Sequence, residues 1–84
     1  MKLAFDQSGW EDFQWWLGND RQTAKRLLKL IDAILRDPRS GIGKPEQLRG
    51  IGSEVWSRRV TLEHRIVYIL DGDTVIIQSC RYHY

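Results

Sequence analysis

The sequence predicts an α+β fold in which two N-terminal helices pack on one face of a small, largely antiparallel four-stranded sheet. Three observations predict it. An apolar stripe with a helical period, Ala24, Leu27, Leu28, Ile31, Ile34 and Leu35, runs through the first half. Short apolar segments rich in β-branched residues follow one another in the second half. Between two of them, Asp71-Gly72-Asp73 is a hairpin turn signal. Helices grouped before a run of strands point to a helix layer on an antiparallel sheet.

Taken in order, Lys2-Leu3-Ala4-Phe5 is a short strand. Asp6 or Ser8 can cap a first helix, and Glu11 stands at the capping-box distance from Ser8. That helix is expected over about 9–17, with Trp10, Phe13, Trp16 and Leu17 on one face and Trp15 off it. Gly18-Asn19 provides the break. Asp20 caps the second helix, whose opposite side carries Lys25, Lys29, Asp32 and Arg36. Asp37-Pro38 ends it, because proline disfavours a helical residue before it. The short link between the helices predicts an antiparallel hairpin. Residues 38–54, rich in Gly, Pro and Ser, read as a long loop, and long loops are often functional. Three strands complete the chain, over about 55–61, 64–70 and 74–81. The first strand can pair in parallel with a later one, which the sequence does not decide.

Length and composition exclude several classes. A chain of 84 residues makes one domain, 1–84. The single cysteine, Cys80, leaves no internal disulfide and fits a reducing, cytoplasmic setting. One Cys and two separated His give no zinc-ligand spacing, so no metal or other cofactor is expected. No run approaches the roughly 20 apolar residues of a membrane helix. Asp6 precedes any apolar run of signal-peptide length, so secretion is not expected. Thirteen basic and eleven acidic residues give a net charge of +2. Residues 1–43 carry seven basic and six acidic side chains, and 44–84 carry six and five. A positive field for a nucleic acid must therefore be local.

The unusual stretch is the last, Cys80-Arg81-Tyr82-His83-Tyr84. It places a cation, two phenols and an imidazole at the end of the strand that contains the apolar run Val75-Ile76-Ile77. The polar residues that interrupt the strands are Arg58, Arg59, Arg65, Gln78, Arg81 and His83. A three-residue turn centred on Gly72 sets Arg65 opposite Ser79, on one face with Arg81 and His83. A two-residue Asp71-Gly72 turn shifts the register and brings Tyr82 and Tyr84 to that face instead. Both alignments remain open. Other residues have plainer roles: His64 at a turn or in packing, Cys80 as a small buried strand residue, the tryptophans as core. Taken alone, Glu46 is a loop acid. Together, one histidine, one carboxylate and several arginines are the parts for metal-free attack of an RNA 2′-hydroxyl on its neighbouring phosphate. A base takes the hydroxyl proton, an acid protonates the leaving oxygen, and a cation holds the added negative charge.

Four segments carry a resemblance over nearly the whole chain: Lys44-Pro45-Glu46, Trp56-Ser57-Arg58-Arg59-Val60, Glu63-His64-Arg65-Ile66-Val67-Tyr68 and the terminal Cys80–Tyr84. In these the chain resembles the YoeB/Txe group of the RelE-like toxin superfamily. The resemblance implies the RelE-like fold and a ribosome-dependent mRNA endonuclease that cuts translated messages in the A site. It implies Glu46 as general base, His83 as general acid, Arg65 as stabiliser of the phosphate and Tyr84 as a residue orienting the substrate. Lys44, Arg49, Arg58, Arg59, Arg81 and Tyr82 are then the expected RNA contacts. The implied partners are a YefM-like antitoxin, the ribosome and mRNA, with a homodimer or toxin–antitoxin hetero-oligomer as assembly. Leu62 and Glu54 depart from the group's pattern, and Glu54 would add an acid near the RNA path. The competing readings are a gyrase-poisoning interaction toxin of the same fold, which needs neither Glu46 nor His83, and a plain RNA-binding module.

Overall fold

Strand β1 (Lys2–Phe5) leads through Asp6 into helix α1 (Gln7–Asn19), and Asp20 alone separates α1 from α2 (Arg21–Arg36). Strands β2 (Glu46–Leu48), β3 (Glu54–Arg59), β4 (Arg65–Asp71) and β5 (Thr74–Ser79) follow. The computed structural model describes residues 1–49 and 54–82. The expected loop residues Gly50, Gly52 and Ser53, and the tail residues His83 and Tyr84, lie outside the described residues.

The strands form one sheet in the order β1-β5-β4-β3-β2. Pairing is antiparallel except between β1 and β5, where Leu3 aligns with Val75 and Phe5 with Ile77 in a parallel ladder. The sheet thus has five strands where the sequence predicts four. The fifth, β2, is three residues long at an edge, inside the stretch predicted as loop. Its ladder to β3 defines it, and no apolar alternation in Glu46-Gln47-Leu48 announces it.

Helix α2 lays Ala24, Leu27, Leu30, Ile31 and Ile34 on the sheet, with Leu27, Leu30 and Ile34 fully buried. Burying each such side chain stabilises the fold by about 1.5–3 kcal/mol. Leu28 belongs to the predicted stripe but is exposed. It stands roughly 100° round the helix from Leu27, whereas Leu30 stands roughly 60° away on the other side, so the stripe centres nearer Leu30. Asp20 caps α2 as predicted, its carboxylate accepting from the Thr23 backbone N–H at 3.1 Å and from the Thr23 hydroxyl at 2.7 Å.

Helix α1 starts two residues before the predicted point and continues through Gly18-Asn19. The break falls at Asp20, which is extended at φ −156°. The Ser8–Glu11 capping box does not form. Ser8 is inside the helix and donates its hydroxyl to Gln78 O at 2.8 Å, while Gln7 Nε2 donates to Glu11. Phe13 and Trp16 are buried; Trp10 and Leu17, predicted for the same face, remain largely exposed.

Asp71 pairs with Thr74, so the hairpin turn is Gly72-Asp73 rather than either turn considered from the sequence. Gly72 supplies the positive φ, +59°, that primed hairpin turns need at their first central position. The register then shifts at a bulge: Tyr68 faces Ile77 but Val67 faces Ser79, leaving Gln78 as the extra residue. Its carbonyl is the one that Ser8 binds.

Candidate functional site

Direct strand partners share a face. Ile66, Tyr68, Val75 and Ile77 belong to the helix-packed core. Their alternates therefore occupy the opposite face. There Glu46 pairs with Ser57, Ser57 with Val67, and Val67 with Ser79, one row across four strands. One step further along β3 and β4, Arg59 faces Arg65. Glu46 is thus diagonal to Arg59, beside a pair of directly opposed cations. Like charges so placed cost about 0.2–1 kcal/mol, a cost that an anion between them would reverse. Glu46 and Arg59 are exposed and Arg65 is half-buried.

The loop that delivers Glu46 is held from inside. Arg58 is the alternate of Arg59, pairs with Ile66 and is fully buried on the helix side. Its Nε donates to Tyr68 Oη at 3.0 Å, Nη1 to Ile42 O at 3.1 Å, and Nη2 to Asp37 O at 2.7 Å and Ser40 O at 2.9 Å. Tyr68 Oη donates to Pro38 O at 2.6 Å. Loop 37–42 is therefore fastened to two strands through one guanidinium and one phenol. Gly43 follows at φ +83°, where a Cβ would lie 2.8 Å from Leu30 Cδ2 and 3.2 Å from Arg59 O. Arg59 N–H donates to Gly43 O at 2.7 Å. Lys44, at φ +53°, turns the chain into β2. The expectation that Arg58 contacts RNA is accordingly corrected: the side chain is fully buried, its Nε on Tyr68 Oη and its Nη atoms on the loop's carbonyls.

Glu54 lies on the helix side too, since it pairs with Leu70. Arg39 binds its carboxylate with Nε and Nη2, both at 2.7 Å, and Trp56 Nε1 donates to it at 3.0 Å. These bonds hold the carboxyl below its usual range. It adds no acid to the face that carries Glu46.

The described part of the tail is tied to α1 and to the start of β4. Cys80 N–H donates to Asp12 Oδ2 at 3.0 Å, and Trp16 Nε1 donates to Cys80 O at 2.9 Å. Tyr82 N–H donates to His64 Nδ1 at 2.6 Å, and Arg65 N–H donates to Tyr82 O at 3.0 Å. His64, read from the sequence as a turn or packing residue, also packs edge-on against Trp16 at 4.7 Å. Tyr82 has φ +63°, a conformation costing about 1–2 kcal/mol outside glycine. Two hydrogen bonds of about 1 kcal/mol each offset it. Arg81, expected at the RNA, stacks its guanidinium over Trp15 at 3.7 Å and donates to Tyr82 Oη at 3.0 Å. Burial pushes the Cys80 thiol up to about 12, with Asp12 adding to the shift, so it is no nucleophile.

Of the expected site residues, the structure brings Glu46, Arg59 and Arg65 to one face and secures Tyr82 at the backbone of Arg65. Lys44 and Arg49 are exposed on either side of β2 in the chain. His83 and Tyr84 are outside the described residues. Sequence reasoning missed the parts that position the others: Arg58, His64, Asp12 and Trp15. A depression on α2 lined by Gln22, Lys25, Arg26 and Lys29 gathers three cations.

The fold and its relatives define the class first: a toxin of bacterial type II toxin–antitoxin systems with a RelE-like α+β fold. Residues 5–84 match the family of YoeB-like toxins of these systems, and the chain belongs to that family. Toxin YoeB of Mycobacterium bovis is 55% identical over 82 residues, covering 98% of this chain and 96% of that protein. The YoeB/ParE toxin from Agrobacterium tumefaciens superposes with a TM-score of 0.95 at 40% identity, covering 100% of both chains. A chain of the heterotetrameric YoeB-YefM complex from Staphylococcus aureus superposes with a TM-score of 0.86 at 37% identity, covering 100% of this chain and 98% of that one. A chain of the archaeal RelE-RelB complex from Pyrococcus horikoshii, at 15% identity and a TM-score of 0.75, shares the fold alone.

Proposed function

We propose that this toxin is a ribosome-dependent endoribonuclease that cleaves translated mRNA in the A site. The observation that carries the reading is the Arg59–Arg65 pair beside Glu46, at the strand end to which the tail is tied. In the proposed reaction Glu46 takes the proton of an RNA 2′-hydroxyl, and O2′ attacks the adjacent phosphorus. Arg65, supported by Arg59, stabilises the extra negative charge. The bond to O5′ breaks as His83 protonates it, giving a 2′,3′-cyclic phosphate and a 5′-hydroxyl. Tyr84 orients the leaving group. Lys44, Arg49 and Tyr82 are exposed and suited to RNA contact. The protein acts in the cytoplasm, where ribosomes are. A YefM-like antitoxin holds it inactive, a partner supported by the Staphylococcus aureus complex, and the YoeB dimer from that organism supports a homodimer of the free toxin.

Primer extension on a translated message, with and without ribosomes, tests the reading. Cleavage is expected only with ribosomes. Glu46→Ala and His83→Gln are each expected to lower it by about 10²–10⁴, with antitoxin binding retained. An intact message on translating ribosomes, with DNA gyrase inhibited instead, would overturn the reading.

A further inference from the structure

The tail is gripped more firmly than a strand end requires. Two alternate residues, Cys80 and Tyr82, each have both backbone groups held by partners distant in sequence. Between them the Arg81 side chain lies over Trp15. At Tyr82 the grip has a particular chemistry. Its carbonyl takes the N–H of Arg65, and its own N–H goes to the side chain of the preceding residue, His64. Two consecutive residues at one strand end thus clasp both backbone groups of one residue, Tyr82, held at positive φ.

We infer that His64 is a positioning residue of the nuclease, acting through Tyr82, whose backbone it locks against the start of β4 at Arg65; this rests on the nuclease reading above. The acceptor must be a bare Nδ1, since a backbone N–H can only donate. The neutral imidazole therefore carries its proton on Nε2. Trp16 fixes the ring edge-on, with an interplanar angle of 89°, and uses its own Nε1 to hold Cys80 O. Imidazole, indole and tail backbone form one unit. Arg65 belongs to it through its N–H, so the cation assigned to the phosphate and the proposed RNA contact Tyr82 share one anchor. Losing the Nδ1 acceptor frees the Tyr82 N–H and relaxes the turn from which the tail proceeds.

The test compares wild type, His64→Phe and His64→Asn in single-turnover cleavage of a message on programmed ribosomes. Phenylalanine keeps a ring against Trp16 but has no acceptor. Asparagine can place its Oδ1 near the Nδ1 position. His64→Phe is expected to lower the rate at saturation about 10²-fold with half-saturation little changed, the scale of a misplaced catalytic group, and His64→Asn to restore most of it. Wild-type turnover in His64→Phe, or no rescue in His64→Asn, would overturn the inference. A wild-type chain that leaves the message intact would instead overturn the nuclease reading. Nitrogen-15 NMR of the wild-type imidazole, with amide exchange at Tyr82, reads the clasp without activity and without a variant that must fold. A proton on Nε2 and a protected Tyr82 amide are expected; a proton on Nδ1 would overturn the clasp itself.

Discussion

Arg58 and Arg59 are neighbours with opposite tasks. Strand alternation says that they point to opposite faces, but not which one goes inside. Four hydrogen bonds from Arg58 to Tyr68 and the loop carbonyls settle it. Replacing Arg58 with methionine keeps much of the volume but leaves three part-buried loop carbonyls and the buried Tyr68 Oη without their donor. Each such group costs about 1–3 kcal/mol, so Arg58→Met is expected to lower unfolding free energy by about 2–4 kcal/mol. Arg59→Met removes one of two opposed exposed-face cations and is expected to change stability by no more than about 1 kcal/mol, in the stabilising direction. It should nevertheless weaken cleavage. Urea denaturation beside the cleavage assay separates them, and equal stability losses in the two variants would contradict the assignment. Of the candidate site, residue type alone leaves Glu46 a loop acid, and the roles proposed for Glu46, Arg59 and Arg65 come from the resemblance; the residues that support them show in neither. His64 and Asp12 act through tail backbone groups 18 and 68 residues away, contacts that no local pattern encodes.

Among the elements, the strongly periodic α2 was legible almost to its ends, because burial repeats every turn. Strand β2 was not, since three edge residues need no apolar alternation. The hairpin register also escaped, because it is set jointly by Gly72 and by a bulge at Gln78 that only the packing of α1 reveals. That packing rests on Gly9. A Cβ there would lie 2.3 Å from Ile77 O and 3.3 Å from Gln78 C, all backbone atoms. Nearby, Asp6 N–H donates to Ile77 O at 2.9 Å and Ser8 to Gln78 O, so α1 is fastened where β5 bulges. Helix propensity alone favours alanine over glycine by about 1 kcal/mol. Overpacking costs about 1–3 kcal/mol, and here neither side of the contact is a flexible side chain. Gly9→Ala is therefore expected to lower the melting temperature by roughly 5–10 °C. A rise in melting temperature would show that α1 is not seated against β5 at this point.

At the scale of the molecule, Asp37, Glu54 and Asp20 are described carboxylates that hydrogen bonds hold ionised, and two of them close on one loop. Asp37 accepts from the Ser40 hydroxyl at 2.7 Å and from Arg39 N–H at 3.1 Å, Glu54 binds Arg39, and Asp20 caps α2. The Ser40 and Arg39 bonds hold Asp37 below its ordinary 3.8; Arg39 and Trp56 hold Glu54 below 4.5; Thr23 holds Asp20 below 3.8. In each case the folded chain binds protons more weakly than the unfolded one. Their stabilisation is thus complete above the unfolded values and is lost as pH falls through the lowered folded ones. Melting temperature is expected to be insensitive to these groups from pH 7 to about 5 and to fall below about 4.5. Asp37→Asn should remove part of that fall, because its amide does not titrate. The loop they close is the one that Arg58 holds from beneath and that delivers Glu46, so acid should loosen this loop before it unfolds the helix–sheet core. Amide exchange followed from pH 6 down to about 3.5 can resolve the order: protection at Ser40 and Glu46 should fail ahead of protection at Leu30 and Ile77. Simultaneous loss at all four would mean that the loop has no stability separate from the core, and that the arm carrying the proposed base is as rigid as the sheet beneath it.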